Sequence, residues 1–209
     1  MRKIIPAVLE KDFGVLQKRI KQFEKLSKTI QVDIADGKFV NNKTIGVNDI
    51  KKIKSKIDIE YHLMVKNPEK YINAIKKAKL IAIHCEIKDF EKYINKIKNK
   101  KIDAGVAINP DTNVNKLIPA IKKIKKVTVL CVIPGWQGAE FMPEALKKIK
   151  QIKKLNKKII VQVDGSMNKE TIALAEKAGA DEFVVGSALI KAKDIKKEFN
   201  LLSKGAKNG

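Results

Sequence analysis

The chain has 209 residues, enough for one sizeable hydrophobic core, and 44% of them are hydrophobic, which argues against a disordered protein. The net charge of +22 comes almost entirely from lysine, and only 5% of the residues are aromatic, so the charge does not indicate a specific nucleic-acid interface. No apolar run is long enough to span a bilayer, and the opening M-R-K-I-I-P lacks a signal-peptide pattern. We therefore expect a cytoplasmic protein without a membrane partner.

Apolar runs typical of strands alternate with segments of helical spacing through the first half of the chain. The first strand is predicted at residues 4–9. Asp12 is placed to cap the next helix, whose apolar residues are Phe13, Leu16, Ile20, Phe23 and Leu26. The second strand covers residues 29–34, and a short helix follows Gly46. The next strands are I-D-I-E-Y-H-L-M and L-I-A-I-H-C-E, and Pro68 is suited to begin the helix between them.

The same alternation continues through the second half of the chain. A helix is predicted from about residue 88 to 99, followed by the strand I-D-A-G-V-A-I-N and a fifth helix. The strand V-T-V-L-C-V-I leads into a loop at 134–138, and the sixth helix buries Ala145, Leu146, Ile149, Ile152 and Leu155. The seventh strand ends at Asp164, and Asn168 caps its helix. The eighth strand, E-F-V-V-G-S, runs into one last helix, and we expect residues 203–209 to form a disordered tail.

Eight strands that alternate with eight helices imply a parallel sheet whose outer face the helices cover. This count fits a closed (β/α)8 TIM barrel, which we expect to span residues 1–202 as a single domain. A doubly wound open sheet is the alternative, but no G-x-G-x-x-G motif follows the first strand.

A barrel of this kind carries its functional residues at the carboxyl ends of its strands. The polar side chains that collect there are Asp33, His62, His84, Glu86, Asn109, Asp164 and Ser187. A carboxylate that is removed from water needs a partner or a task, so Asp33 and Asp164 are the strongest candidates for catalysis. Each histidine alone is more simply explained as a hydrogen-bonded core or loop residue.

Small residues before two helices are suited to bind an anion. Gly165 and Ser166 precede the seventh helix, and Gly186 and Ser187 precede the eighth, so backbone N–H groups can approach a phosphate there. Barrels often bind phosphate after their seventh and eighth strands, and the loop 135–138 is placed to close over it. Each glycine alone is explained by turn geometry, so the prediction depends on their joint placement.

The chain resembles the ribulose-phosphate 3-epimerase family over nearly its whole length. The matching motifs, in order, are I-P-A-V-L, V-D-I-A-D-G-K-F-V-N-N, Y-H-L-M-V-K-N-P-E-K-Y-I, V-I-P-G-W-Q-G-A-E-F, V-D-G-S-M-N and A-G-A-D-E-F-V-V-G-S-A-L-I. The resemblance implies a TIM barrel of the ribulose-phosphate-binding type and an isomerase of the pentose phosphate pathway. It implies that D-ribulose 5-phosphate and D-xylulose 5-phosphate interconvert through an enediolate, with Asp33 and Asp164 as acid and base.

The resemblance also implies a metal site and a substrate site. A divalent ion, zinc in the family, would be held by Asp33, Asp164 and two histidines, of which His62 is the second and the first is replaced here by Gln31. The substrate-binding positions carried over from the family are Ala7, Met64, Gly135, Trp136, Gln137, Gly138, Gly165, Ser166, Gly186 and Ser187.

Several family residues are replaced in this chain. The replacements are Gln31 for the first histidine ligand, Ala7 for a serine, Ala35 and Leu130 for two methionines, Ile133 for a polar residue, and Gln137 and Ser166 for glycines. An amide oxygen is a poorer zinc ligand than imidazole and suits harder ions. Manganese, magnesium or iron are therefore alternatives to zinc, and a site without metal is a further alternative.

Three hypotheses for the function follow, and they differ in what they require of the site. The first is an epimerase of a ketopentose phosphate, because inversion beside a carbonyl needs a base on one face and an acid on the other. The second is a non-catalytic or altered-specificity phosphosugar-binding homologue with a degraded metal site, suggested by Gln31 and Ala7. Nucleic-acid binding ranks last, since no aromatic platform accompanies the lysines. We expect a small sugar-phosphate partner, and a homo-oligomer stays open.

Overall fold

The computed structural model describes residues 1–135 and 138–204. Eight parallel strands in these ranges form a closed barrel in the order of the sequence, and β1 pairs with β8 to close it. The strands are β1 (Lys3–Val8), β2 (Thr29–Ala35), β3 (Asp58–Met64), β4 (Leu80–His84), β5 (Asp103–Ile108), β6 (Lys126–Leu130), β7 (Ile160–Asp164) and β8 (Glu182–Val185). The prediction of a (β/α)8 TIM barrel is confirmed.

Helices follow the strands around the barrel. In the described ranges they are α1 (Phe13–Phe23), α2 (Val47–Ile50), α3 (Glu69–Ala74), α4 (Phe90–Asn99), α5 (Lys147–Leu155), α6 (Lys169–Ala178), α7 (Ser187–Ile190) and α8 (Ile195–Lys204), with 3-10 helices at Val114–Leu117 and Pro143–Leu146. The predicted N-caps are confirmed, since Asp12 accepts a hydrogen bond in α1 and Asn168 accepts two in α6. None of these described helices has the length and apolar character that a membrane crossing requires.

The segment after β5 differs from the prediction of a fifth α-helix. It forms a single 3-10 helix, Val114–Leu117, which Asn113 caps. Pro119 explains the difference, because it lacks the N–H group that would bond to the carbonyl of Asn115 in an α-helix.

The segment after β8 also differs, since two helices replace the single predicted one. Asp194 separates them: its carboxylate accepts a hydrogen bond from the N–H of Lys197 and begins α8. Ser203 and Lys204 belong to α8, although the sequence placed them in the tail. The rest of the predicted tail, 205–209, lies outside the described residues.

The alternation of side chains along each strand separates the two faces of the barrel wall. In β2, Ile30, Val32 and Ile34 join the hydrophobic core that also contains buried residues of α1. Gln31 and Asp33 therefore point to the other face, into the barrel, where the parallel register sets Asp33 beside His62 of β3. One face of β2 thus packs against the helices, and the other supplies polar groups to the barrel interior.

A buried ion cluster fills the amino-terminal end of the barrel interior. The ammonium group of Lys126 lies 2.5 Å from a carboxylate oxygen of Glu60 and 2.5 Å from one of Glu182. Gln162 donates to both carboxylates, and Lys3 contacts Glu182 from the rim. Burial raises the pKa of Glu182, but Lys126 and Lys3 outweigh it and lower that pKa overall. Each buried charge of this cluster therefore has a partner, as a low-dielectric interior requires.

Replacing Lys126 with methionine should lower the free energy of unfolding by about 3–5 kcal/mol, because buried Glu60 would lose its cation and Glu182 one of its two. Denaturation in urea, followed by circular dichroism, measures the change. Lys153→Met is the control, since Lys153 pairs with Asp181 at a half-exposed site and should cost at most about 1 kcal/mol. Equal losses in the two variants would show that the cluster adds no more than a surface pair.

Candidate active site

A cleft opens at the carboxyl ends of the strands, where the predicted site residues gather. Among the described residues it is lined by Ala7, Leu9, Asp33, His62, Met64, Leu130, Val132, Pro134, Gly135, Gly138, Asp164, Gly165, Ser166, Met167, Val184, Gly186 and Ser187. Every described residue predicted to bind substrate lies in this set. Trp136 and Gln137, also predicted to bind substrate, lie outside the described residues.

The loop after β2 is fixed by polar contacts on both of its sides. Asp36 accepts hydrogen bonds from the backbone N–H groups of Lys38, Phe39 and Lys66. Burial raises the pKa of Asp36, but these three bonds lower it overall. The side chain of Asn42 donates to the carbonyl oxygen of Gly135 at 2.6 Å. The loops after β2 and β6 are thereby joined across the mouth of the cleft.

Asp33 and Asp164 meet at the side chain of Gln31. The amide nitrogen of Gln31 donates to Asp33 Oδ1 at 2.8 Å and to Asp164 Oδ2 at 2.7 Å. His62 Nδ1 lies 3.1 Å from Asp33 Oδ1 and 3.8 Å from Asp164 Oδ2. Asp33 and His62 are buried, and Asp164 is half-buried at the cleft. Strands β2, β3 and β7 thus bring two carboxylates, an amide and an imidazole into contact.

The two carboxylates and the imidazole perturb one another. Burial, followed by the charge of Asp33, raises the pKa of Asp164 to about 6, against the opposing effects of His62 and Gln31. Burial lowers the pKa of His62, but the hydrogen bond and charge of Asp33, with the charges of Asp164 and Glu86, raise it overall. A carboxyl group whose pKa lies near neutrality can both donate and accept a proton.

The donor set fits a divalent metal ion. Ligand atoms of Asp33, His62 and Asp164 lie within 4.8 Å of one another, and two carboxylates with an imidazole are a combination that zinc and related ions bind. Gln31 presents its amide nitrogen to the carboxylates, because ionised carboxylates only accept hydrogen bonds. For its oxygen to bind a cation, the amide must turn over. Gln31 as a fourth ligand stays a prediction.

The loop after β7 brings backbone against the cleft. Gly165 has φ of +110°, and a Cβ atom there would lie 2.7 Å from the side chain of Val132, so only glycine fits. Ser166 also has positive φ, at 51°, and its hydroxyl donates to the carbonyl oxygen of Ala139. This bond ties the loop after β7 to the loop after β6.

His84, Glu86 and Asn109 do not line the cleft. The Nε2 atoms of His84 and His62 are 2.9 Å apart, and His84 Nδ1 lies 3.1 Å from Glu86 Oε2. The backbone N–H of Asn109 donates to Glu86 Oε1 at 2.9 Å. The sequence placed these residues at strand ends, but it did not indicate that the two histidines touch. It also missed several apolar lining residues, Leu9, Val132, Met167 and Val184.

Solved structures of several enzymes share this fold. Thiamine phosphate pyrophosphorylase from Pyrococcus furiosus aligns with a TM-score of 0.64 and 18% identity, covering 97% of this chain and 94% of that one. Orotidine 5'-monophosphate decarboxylase from Sulfolobus solfataricus aligns with a TM-score of 0.68 and 14% identity, covering 98% of this chain and 97% of that one. At such identities the likeness extends to the barrel alone.

Sequence comparison is more specific. Ribulose-phosphate 3-epimerase of Bacillus subtilis is 34% identical over 208 residues, covering 94% of this chain and 96% of the relative. The enzyme of the same name from Methanocaldococcus jannaschii is 35% identical over 207 residues, covering 94% and 87%. The sequence model of the ribulose-phosphate 3 epimerase family matches residues 3–190. The chain therefore belongs to the ribulose-phosphate 3-epimerase family.

Proposed function

We propose that this chain is an isomerase that interconverts D-ribulose 5-phosphate and D-xylulose 5-phosphate. The observation that carries the proposal is the meeting of Asp33 and Asp164 at one amide group in the cleft. The family membership supports the same activity. The intact pair of carboxylates favours a catalyst over a homologue that only binds phosphosugars. A rice relative is named as a cytoplasmic isoform, which supports a cytoplasmic location here.

Inversion at a carbon beside a carbonyl needs one group to remove a proton and another to supply one from the opposite face. One carboxyl group must therefore be ionised while the other holds a proton. Asp164 takes up a proton more readily than an ordinary aspartate, because burial and the charge of Asp33 raise its pKa to about 6, so we assign it the role of the acid. Asp33 is then the base, and turnover in one direction exchanges the two roles.

Asp33, His62 and Asp164 would hold a divalent metal ion in this site. When bound, such an ion supplies positive charge for the enediolate oxygens. Zinc is the ion that the family resemblance implies, and the amide at Gln31 favours a harder ion such as manganese, magnesium or iron. His62 also bonds to Asp33 and so holds that carboxylate in position beside the substrate.

The substrate phosphate would lie on the opposite side of the cleft from β2 and β3. Gly165 and Ser166 follow β7, and Gly186 and Ser187 follow β8, and all four line the cleft. The N–H of Gly165 bonds to Asp164, so the backbone N–H groups of Ser166, Gly186 and Ser187 are the ones that an anion would approach past these small side chains. Met64 and Ala7 line the part of the cleft near Asp33, where the sugar carbons would lie.

Asp164→Asn should reduce epimerisation by about two to four orders of magnitude, because one carboxylate cannot serve both faces of the sugar. The assay is conversion of ribulose 5-phosphate, with incorporation of solvent deuterium measured in parallel. Asp103→Asn is the matched control, since Asp103 is exposed at the amino-terminal end of β5. Near-native turnover in Asp164→Asn would show that this residue is neither acid nor base.

The same variant should be more stable than the wild type at pH 7. The folded state raises the pKa of Asp164 to about 6 from an ordinary 3.8, so folding favours the protonated form and the ionised form is destabilising. The gain from Asp164→Asn should therefore be full above pH 6 and vanish below pH 4. Thermal melts across this range, in a metal chelator, measure it. A gain that grows towards low pH would contradict the assigned sign.

Gln31→His should raise the affinity for zinc, because imidazole nitrogen is a better zinc ligand than an amide. Isothermal titration of zinc into the purified proteins measures the change. Gln31→Ala is the matched control, since it also removes the amide that bonds to Asp33 and Asp164 but adds no ligand. Equal affinities in Gln31→His and Gln31→Ala would mean that position 31 does not reach the metal.

A further inference from the structure

A chain of hydrogen bonds leads from the cleft to a carboxylate behind it. It runs from Asp33 through His62 and His84 to Glu86, with distances of 3.1, 2.9 and 3.1 Å between the bonded atoms. The two histidines are the only ones in the sequence. His84 is fully buried, and the ring of Phe39 packs on it with 4.5 Å between centroids. Water is thereby kept from replacing either partner of His84.

The contact between the two histidines requires one proton between them. At 2.9 Å, two bare nitrogens would repel and two N–H groups would clash, so one Nε2 must donate and the other accept. Geometry between the rings alone does not decide which of them donates. The outer ends of the chain decide it.

Glu86 fixes the direction of the chain. Its Oε1 accepts the backbone N–H of Asn109, and its Oε2 lies 3.1 Å from His84 Nδ1. A carboxylate only accepts, so His84 carries its proton on Nδ1 and its Nε2 is a lone pair. The proton between the rings then belongs to Nε2 of His62. The Nδ1 atom of His62 is left as the nitrogen that faces Asp33 and Asp164.

We propose that Glu86 and His84 are positioning residues that fix the tautomer of His62, so that its Nδ1 is available to a cation in the cleft. This inference rests on the proposed role of His62 as a metal ligand. Nδ1 of His62 and Oδ1 of Asp33 are 3.1 Å apart, so either a proton on Nδ1 or a bound cation must lie between these two atoms. Hydrogen bonding to the far nitrogen of a metal-binding imidazole is a general way to orient such a ligand.

The wild-type protein provides the first test. With both histidines labelled with ¹⁵N, NMR distinguishes protonated from bare ring nitrogens, and zinc addition identifies His62 by the shift of its Nδ1 signal. We expect His84 to carry its proton on Nδ1, with and without zinc, and His62 to carry one on Nε2. Finding the proton of His84 on Nε2 would overturn the proposal.

Glu86→Gln replaces the acceptor that faces His84 Nδ1 with a donor, in a side chain of nearly the same size. With its amide oxygen on the N–H of Asn109, the new NH2 group faces His84 Nδ1. The proton of His84 should then move to Nε2 and that of His62 to Nδ1, which blocks the nitrogen that binds metal. We expect zinc affinity, measured by calorimetry, to fall roughly ten- to a hundredfold.

Glu198→Gln in α8 is the matched control and should leave both the tautomers and the affinity unchanged. Unchanged tautomers in Glu86→Gln would contradict the proposal that Glu86 and His84 fix the tautomer of His62. If that variant does not fold, the wild-type spectrum alone decides. Neither readout is turnover. If the protein proved not to be an epimerase, the tautomer assignment would still hold. If the tautomer assignment proved wrong, the acid–base proposal would be unaffected.

Discussion

The chemistry at the mouth of the barrel depends on two carboxylates that lie close together and are largely removed from water. Burial and the charge of Asp33 both raise the pKa of Asp164, so the pair is costly to hold in its ionised form. The amide of Gln31, the imidazole of His62 and the backbone N–H of Gly165 offset part of this cost. The remaining imbalance raises the pKa of Asp164 to about 6, which is close to the range that acid–base chemistry at neutral pH requires.

The opposite end of the barrel also contains two buried carboxylates, but there they are paired with a cation. There, the ammonium group of Lys126 lies between two carboxylates, and every member of the cluster is paired. Because each of its charges is paired, removing one member of this cluster would leave a buried charge uncompensated. The barrel interior therefore contains one neutralised charge cluster that supports the fold and one incompletely neutralised cluster that can react. The difference lies in whether a lysine reaches the carboxylates.

Sequence patterns predicted the barrel because alternation and turn residues are local properties. They also predicted Asp33 and Asp164, since strand-end carboxylates need partners wherever the strands lie. The contact of His62 with His84 could not be predicted, because it depends on the register that pairs His62 with Ala82 and so sets His84 beyond it. The direction of the Gln31 amide was equally out of reach, since it depends on two acceptors that come from separate strands.

Whether the cleft attracts a cation depends on which atoms Gln31 and His62 present to it, and for His62 this depends on groups outside the cleft. An amide can present N–H to carboxylates or oxygen to a cation, so position 31 is compatible with either state. An imidazole nitrogen has no such freedom once its tautomer is fixed. The hydrogen bonds from His62 through His84 to Glu86 therefore set how strongly the cleft attracts positive charge. His84, the last residue of β4, and Glu86 thus act on the cleft through His62 although neither of them lines it.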